Sequence, residues 1–219
     1  MGAHALQLPE SRPRPEAPAR VFLARHCSTD WNVQRRLQGS QDLPLNDQGR
    51  AEALALVALL EPLGLQRIYS SPYQRAWQTG RIYAEHLGIP LEAHPGLREL
   101  DHGVWEGAII DDLLSSNASG YASWLVDASR VAVPGGEAID EAQKRVAHAF
   151  VDIVVNGGLG PVLIVTHKHI RALLLCALQG LDLSAFGAQI IDSQAPSEVP
   201  SYQMEALLAR IAGLAHTSL

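Results

Sequence analysis

Two short, continuous apolar runs stand out in the pattern of hydrophobic and polar positions along the chain. They lie at Val21–Ala24 and Val162–Val165. Runs of this length, rich in Val, Ile and Leu, are typical of strands that are buried on both faces of a parallel sheet. We predict two further, shorter strands at Arg67–Ser70 and Leu91–Ala93.

Helical patterns lie between and after these runs. The first begins at an N-cap residue, Asn46 or Asp47, and ends before Pro62 and Gly64. The other helices are predicted between Pro72 and Gly88, at Ile139–Val155, at Ile170–Leu178 and, closing the chain, at Gln203–Leu214. Strands that alternate with helices at this spacing predict an α/β fold with a doubly wound, mostly parallel sheet flanked by helices.

The chain divides into a short extension and one domain. Residues 1–19 contain four prolines and no continuous apolar core, so we predict a disordered Pro-rich extension and not a signal peptide. Residues 20–219 are predicted to form a single domain, because a 219-residue chain with 47% hydrophobic residues can bury one core. The irregular stretch 108–133, which includes Tyr121 and Trp124, is interpreted as a small cap insertion over the site.

Charge and cysteine content restrict the possible partners. A net charge of −6 argues against nucleic acid and anionic membrane, although a local cluster of Arg and His can still bind a small anion. No apolar run approaches the roughly 18 residues that a membrane helix needs. The two cysteines, Cys27 and Cys176, are too few for a disulfide scaffold, so we predict a cytoplasmic protein.

Histidines directly follow both of the longer predicted strands. Arg25-His26 comes after the first, and His167-Lys168 comes one residue after the second. Ligands of open α/β sheets bind beyond the carboxyl ends of the strands, so we expect both histidines at one edge of the sheet. The alternative is that each histidine only caps its strand or packs at the start of a helix.

Five groups of residues occur in the order of a known family's motifs. They are Arg25-His26-Cys27-Ser28-Thr29-Asp30-Trp31-Asn32 with Gly39, Asp42, Leu45 and Gly49; Ser70-Ser71-Pro72 with Arg75, Gln78 and Thr79; Glu99 with Gly103, Trp105, Glu106 and Gly107; Pro134-Gly135-Gly136-Glu137 with Arg145; and His167 with Arg171. In this order they make the chain resemble the histidine phosphatase superfamily, which includes phosphoglycerate mutases and acid-type phosphatases. The resemblance covers roughly residues 21–178 and implies a phosphoglycerate mutase-like fold.

The resemblance implies a catalytic set. It assigns His26 as the nucleophile that attacks phosphorus, Arg25, Arg75 and His167 as the groups that hold the phosphoryl oxygens, and Glu99 as the proton donor to the leaving oxygen. These roles suit the residue types, because phosphoryl transfer depends on positioning and on neutralising oxygens, and Arg offers permanently charged, forked donors. Taken alone, Arg75 would more simply be a solvated surface charge and Glu99 a residue that caps or pairs in a loop.

Two of these roles require a particular protonation state. His26 must be neutral to attack, so its other ring nitrogen needs a partner, often a backbone carbonyl. Glu99 must be protonated to donate, which requires burial or a neighbouring carboxylate. Asp101 and Glu106 are close to it in sequence.

Three residues depart from the family pattern and bear on the substrate. Cys27 and Lys168 stand where glycine is usual, and Ser28 replaces a residue that is usually acidic. One negative charge fewer and one positive charge more favour an anionic phosphorylated metabolite that carries a second anionic group. The residues expected to contact the substrate are Cys27 through its backbone N–H, Asn32, Gln38, Gly39 and Lys168.

The main prediction is a phosphomonoesterase that hydrolyses a small phosphorylated metabolite through a phosphohistidine intermediate on His26, with no cofactor and no metal. A phosphoglycerate-type phosphomutase is the first alternative, but the arginine-rich insert of such mutases is represented only by Arg130. A degenerate phosphate-binding module is the second alternative. A metal hydrolase using His167 and His169 is disfavoured, because side chains at i and i+2 across a strand end point apart. We expect no nucleic acid or membrane partner, and a homodimer is possible.

Overall fold

The computed structural model describes residues 20–116, 120–156, 158 and 160–216. The predicted N-terminal extension lies outside the described residues. The strands are β1 (Val21–Arg25), β2 (Arg67–Ser70), β3 (Leu91–Ala93), β4 (Val162–Thr166) and β5 (Ser197–Val199). The α-helices are α1 (Asp30–Val33), α2 (Asp47–Leu60), α3 (Gln74–Leu87), α4 (Ile110–Ser115), α5 (Tyr121–Val126), α6 (Ile139–Asn156), α7 (Lys168–Gln179) and α8 (Ser201–His216).

The strands form one five-stranded sheet in the order β3-β2-β4-β1-β5. The first four strands of this order are parallel, and β5 pairs with β1 in the antiparallel direction. This confirms the predicted α/β class and the four parallel strands. The antiparallel edge strand was not predicted, because three residues that include Ser197 and Glu198 carry no apolar run.

The two central strands are apolar throughout because helices cover both faces of the sheet. Val21 and Leu23 of β1 pack into the core beneath α6, α7 and α8, whereas Phe22 and Ala24 pack against α2 and α3. Alternate side chains of a strand point to opposite faces. A strand with helices on both sides therefore needs apolar residues at every position, as the sequence pattern predicted.

Helix α7 begins earlier than the sequence pattern indicated. It begins at Lys168 and not at Ile170, directly after its N-cap His167. The apolar spacing that revealed this helix starts only at Ile170, so the polar first turn was missed. This turn matters for the site, because its backbone N–H groups have no partner inside the helix and are free to bind a side chain.

The described part of the 108–133 stretch includes the short α-helices α4 and α5, and residues of α5 belong to a buried aromatic cluster. Trp124 is 1% exposed, and its ring lies 5.3 Å from His102 and 5.1 Å from Phe186, measured between ring centroids. Trp105 of the third motif is buried in the same cluster, 5.8 Å from Trp124. Among the described residues of this stretch, only Ile110 borders the cavity described below, so a cap over the site stays a prediction.

Candidate active site

A polar cavity opens at the carboxyl ends of β1 and β4. It is lined by Arg25, His26, Asn32, Arg36, Leu37, Gln38, Gly39, Arg75, Glu99, Ile110, Lys168 and His169. His167 lies directly behind, with its ring centroid 5.1 Å from that of His26. The two strand ends therefore deliver both histidines to one place. Chain segments that are far apart in sequence supply the arginines and Glu99.

His26 is held in the form that a nucleophile needs. Its Nδ1 donates a hydrogen bond to the carbonyl oxygen of Cys27 at 2.7 Å. This bond places the proton on Nδ1 and leaves the lone pair on Nε2, for which the described residues provide no partner. Burial, together with the positive charges of Arg75 and Arg25, keeps the pKa of His26 well below its ordinary value. The ring is therefore neutral at physiological pH.

Arg75 is fully buried and is not a surface charge. Its Nη1 donates to the carbonyl oxygen of Gln41 at 2.5 Å, and its Nη2 donates to that of Gly39 at 2.7 Å. Burial lowers the pKa of Arg75 to about 10, which still leaves the guanidinium charged at neutral pH. Its Nε has no hydrogen-bond partner within the described part of the chain, so one buried donor is available for an anion.

The loop that holds Arg75 is itself held by Glu106. Oε1 of Glu106 accepts the backbone N–H of Ser40 at 2.6 Å, and Oε2 accepts the side-chain amide of Gln41 at 2.8 Å. Gly39 adopts a φ of +56°, and a Cβ there would lie 2.0 Å from Glu106 Oε1. Only glycine satisfies both conditions. Gly39 is therefore needed for the loop that orients Arg75.

Arg25 pairs with a carboxylate that sequence reasoning missed. Nη1 of Arg25 donates to Oδ1 of Asp192, and Nε of Arg25 is buried without a partner among the described residues. Arg171 of the last motif fixes the segment carrying Asp192, since its Nη1 donates to the carbonyl oxygen of Ser193 at 3.0 Å. Asp192 belongs to no motif, so no signal in the sequence pointed to it.

His167 contacts a hydroxyl of the second motif. Its Nε2 lies 2.8 Å from Oγ of Ser71, and its Nδ1 is buried without a partner within the described residues. Burial, followed by the charge of Arg75, holds the pKa of His167 well below its ordinary value. The ring is therefore a neutral donor and acceptor.

Glu99 is buried against the N-terminus of α7. Oε1 accepts the backbone N–H groups of Leu100 at 2.9 Å and Ile170 at 3.2 Å, and Oε2 accepts that of His169 at 3.4 Å. Burial raises the pKa of Glu99, while these N–H groups and Arg75 act in the opposite direction. Of the two routes to a raised pKa of Glu99 considered from the sequence, burial is the one that the structure supports.

The two neighbouring carboxylates are engaged elsewhere. Asp101 Oδ1 accepts the backbone N–H of Gly103 at 2.8 Å, and Glu106 binds the Ser40–Gln41 loop. The hydrogen bonds to Glu106 outweigh its partial burial and lower its pKa. The hydrogen bonds of these two carboxylates therefore hold the neighbouring backbone segments in place.

Four of the five expected substrate contacts line the cavity: Asn32, Gln38, Gly39 and Lys168. Lys168 is directed into the cavity, and its pKa is lowered by burial and by the charge of Arg25. Gln38 is buried with its Oε1 unpaired among the described residues. The cavity also includes Arg36, whose Nη1 donates to the carbonyl oxygen of Gly107 at 2.7 Å. Arg36 was not predicted, because it belongs to no motif.

Cys27 is the expected contact that the structure does not place at the cavity. Its backbone N–H donates to Oγ1 of Thr79 at 3.1 Å, so it is not available to phosphate. Its side chain packs beneath α2 and α3, with Sγ 3.7 Å from the hydroxyl of Tyr83. Burial raises the pKa of Cys27 to about 11, which keeps the thiol protonated. The side chain points away from the site because alternate positions of an extended chain face opposite sides.

A second, outer chamber continues from the cavity towards the surface. It shares Arg25, Asn32, Arg36, Ile110 and Lys168 with the cavity, and adds Ser28, Trp31, Arg35, Asp192 and Gln194. Arg35 is neutralised by Asp111 at 2.7 Å, whereas the described residues provide no ion pair for Lys168 or Arg36. This wall therefore carries two unneutralised cations.

Two other functional classes find no support in the described residues. Within that part of the chain, no group of three or more His, Cys, Asp or Glu side chains is arranged to hold a metal ion. The same residues include no helix that is both long enough and apolar enough to cross a membrane.

A neutral histidine beside two buried arginines and a carboxyl group whose pKa is raised by burial suits phosphoryl transfer, here at the edge of a mostly parallel α/β sheet. The model of the histidine phosphatase superfamily (branch 1) matches residues 21–210, and the chain belongs to that family. The resemblance inferred from the motifs is thereby confirmed.

Relatives within the family include phosphatases and mutases. The chain is 29% identical to phosphoserine phosphatase 1 of Hydrogenobacter thermophilus, over 76% of this chain and 79% of the relative. It is 34% identical to a probable phosphoglycerate mutase, GpmB, of an Enterobacter species, over 74% of this chain and 75% of the relative.

The solved structures that resemble this one include phosphatases. A mycobacterial glucosyl-3-phosphoglycerate phosphatase superposes with a TM-score of 0.76 at 27% identity, covering 83% of this chain and 92% of that protein. The α-ribazole phosphatase of Shigella flexneri superposes with a TM-score of 0.72 at 26% identity, covering 83% of this chain and 90% of that protein.

Proposed function

We propose that this protein is a metal-independent phosphomonoesterase that works through a phosphohistidine on His26. The observation that carries this proposal is the bond from His26 Nδ1 to the Cys27 carbonyl, which leaves Nε2 with a free lone pair in a cavity lined by Arg25, Arg75 and Glu99. A neutral, fixed imidazole beside permanent cations suits attack on a phosphoryl group.

The reaction has two displacements. In the first, His26 Nε2 forms a bond to phosphorus, the bond from phosphorus to the leaving oxygen breaks, and that oxygen takes the proton of Glu99. In the second, water attacks the phosphohistidine, the phosphorus–nitrogen bond breaks, and the ionised Glu99 takes a proton from the water. Arg25, Arg75 and His167 hold the phosphoryl oxygens throughout. Inorganic phosphate leaves, and every group returns to its starting state.

The outer chamber supports a small phosphorylated metabolite with a second anionic group as substrate. Lys168 and Arg36 both border it and lack a carboxylate partner among the described residues. A carboxylate or second phosphate on the substrate would neutralise them. Phosphoserine, in the name of one relative, and a phosphoglycerate, in the name of another, are compounds of this kind.

A phosphomutase is the second candidate, supported by the GpmB relatives. Arg130, the arginine on which a mutase reading would depend, has a side chain that is 84% exposed and paired with Asp127 at 2.9 Å. It does not border the cavity. No other arginine of the 108–133 stretch is available to hold a second substrate oxygen for transfer, which favours hydrolysis.

The remaining parts of the proposal concern compartment and assembly. Cys27 and Cys176 are both buried and free, in keeping with a reducing compartment, and we propose that the enzyme works in the cytoplasm. A homodimer stays a prediction. Neither property is needed for the chemistry, because every catalytic group comes from one chain.

Trapping the intermediate tests the proposal. Incubation with a ³²P-labelled substrate and an alkaline quench should leave label on His26, because phosphohistidine survives base and breaks down in acid. His26→Ala should lose both label and turnover, and the control His148→Ala, at an exposed histidine of α6, should keep both. Turnover in EDTA should be unchanged. Label-free turnover, or turnover that needs Mg²⁺ or Zn²⁺, would contradict the mechanism.

A further inference from the structure

A buried pair of histidines lies beside the proton donor. Nε2 of His102 lies 2.9 Å from Nδ1 of His169, and the two side chains are 0% and 2% exposed. The ring of Trp124 packs edge-on against both, at centroid distances of 5.3 Å and 5.4 Å. The contact between His102 and His169 is enclosed by aromatic rings, so the low local dielectric strengthens this hydrogen bond and holds the two rings in one orientation. The proposed mechanism gives neither histidine a role.

The pair reaches one oxygen of Glu99. Oε1 already accepts two backbone N–H groups, whereas Oε2 accepts only the longer bond from the backbone of His169. A protonated carboxyl group therefore carries its hydrogen most readily on Oε2. Nδ1 of His169 lies 3.7 Å from this oxygen. The ring nitrogen that His102 contacts is thus the one that lies near Oε2 of Glu99.

The direction of the hydrogen bond between the two histidines decides whether Nδ1 of His169 carries a hydrogen near Oε2 of Glu99. If His102 donates, Nδ1 of His169 carries no hydrogen and its lone pair is taken by His102, so the ring offers Oε2 no donor that would stabilise the ionised carboxylate. If His169 donates, its N–H points between His102 and Oε2, which suits the ionised carboxylate. We propose that His102 is a positioning residue, donating from Nε2 to His169 so that Glu99 keeps its proton before each turnover. This inference rests on the proposed role of Glu99.

The surrounding charges explain why such help is needed. Arg25, Arg75 and Lys168 all lie near Glu99 and favour its ionised form, and the backbone N–H groups of α7 act in the same direction. The other titratable neighbours are Glu106, which accepts the backbone N–H of His102 at 3.1 Å, and the buried Tyr121. Burial lowers the pKa of His102 to about 3, so the pair adds no further cation.

Two substitutions at one position separate positioning from packing. His102→Leu fills the space but cannot donate, whereas the amide nitrogen of His102→Gln lies close to where Nε2 was and can donate to His169. An alkyl phosphate tests this role, because its leaving oxygen needs a proton from Glu99. Its kcat/KM should fall at alkaline pH as Glu99 ionises, and in His102→Leu this fall should begin at lower pH. At pH 8 the variant should therefore have a kcat/KM about 10-fold below that of the wild type. His102→Gln should keep the wild-type profile. With p-nitrophenyl phosphate both variants should stay within about 3-fold of wild type.

The possible outcomes are distinguishable. An unchanged alkaline limb in folded His102→Leu overturns the inference, as does an equal loss on both substrates or an equal loss in both variants. Thermal unfolding establishes that each variant is folded. If His102→Leu is not, His102→Met, which also cannot donate, replaces it in the comparison with His102→Gln. Labelling of His26 in the wild type is measured alongside, and its absence would count against the proposed function and not against the pair.

Discussion

Asp192 forms an ion pair with Arg25 at the boundary between the catalytic cavity and the outer chamber. The side chain of Asp192 is 69% exposed, whereas that of Arg25 is 9% exposed. The carboxylate thus occupies a guanidinium that the proposed mechanism assigns to the phosphoryl oxygens. We therefore expect the substrate and Asp192 to compete for the guanidinium of Arg25.

Asp192→Asn should therefore tighten substrate binding. Removal of the competing charge should lower KM by about 2–5-fold with little change in kcat, a size typical of an exposed ion pair. The measurement is steady-state kinetics at two salt concentrations, and the difference should shrink at high salt. Asp47→Asn, at an exposed aspartate of α2, serves as the control. A raised KM would mean that Asp192 orients Arg25 and does not compete with the substrate.

Glu99→Gln should separate substrates by their leaving groups. On an alkyl phosphate the loss in kcat/KM should be about 10²–10⁴-fold, and on p-nitrophenyl phosphate much smaller, because that leaving group needs little protonation. Burial raises the pKa of Glu99, so its acid form persists to higher pH than in an ordinary Glu. Wild-type activity on the alkyl phosphate should fall as pH rises through this raised pKa, and Glu99→Gln should lack that limb.

A matched control is available on α8. Glu205→Gln changes an exposed glutamate in the same way and should leave both substrates and the pH profile unchanged. Equal losses on the two substrates in Glu99→Gln would assign Glu99 a structural role at the start of α7.

The sequence predicted those parts of the fold and the site that depend on local patterns of residues. β1 and β4 are recognisable because helices on both faces require apolar residues throughout. His26 and His167 followed from their places at the ends of those strands. Glu99 and Arg75 followed only from the family resemblance, since nothing local distinguishes a catalytic Glu from one that caps a loop.

The parts that were missed depend on contacts between distant segments. Asp192 reaches Arg25 because β5 returns beside β1, and a three-residue edge strand carries too little pattern to predict that return. His102 and His169 are 67 residues apart, and the sequence around either one does not indicate that the two side chains are in contact. Cys27 was misplaced because its backbone partner, Thr79, lies on α3.

Gly39→Ala should impair the site through Arg75. The substitution adds a Cβ at a positive φ and 2.0 Å from Glu106 Oε1, so either the loop whose carbonyl groups hold Arg75 or the Glu106 carboxylate that binds this loop must shift. A displaced phosphate-binding arginine should cost about 10²-fold in kcat/KM. Gly64→Ala is the control, because Gly64 has a φ of +64° but no atom within 4 Å of its added Cβ.

Both glycine variants should lose about 1–2 kcal/mol of stability from the left-handed conformation alone. Chemical denaturation measures that shared cost, and kinetics measures the difference. If Gly64→Ala lost as much activity as Gly39→Ala, the Glu106 contact would have no special part in placing Arg75.

Lys168→Met should weaken binding of substrates that carry a second anion while leaving the chemistry intact. Lys168 borders both the cavity and the outer chamber, and the described residues provide it with no carboxylate partner. A direct, partly buried contact to a second anionic group is worth about 1–3 kcal/mol, or roughly 5–150-fold in KM. The comparison is between phosphoserine or a phosphoglycerate and p-nitrophenyl phosphate, which has no second anion and should change little. Lys144→Met, on the exposed face of α6, is the control. A uniform change on all three substrates would show that Lys168 acts on the phosphoryl group itself, and the second anion would then have to be bound by Arg36.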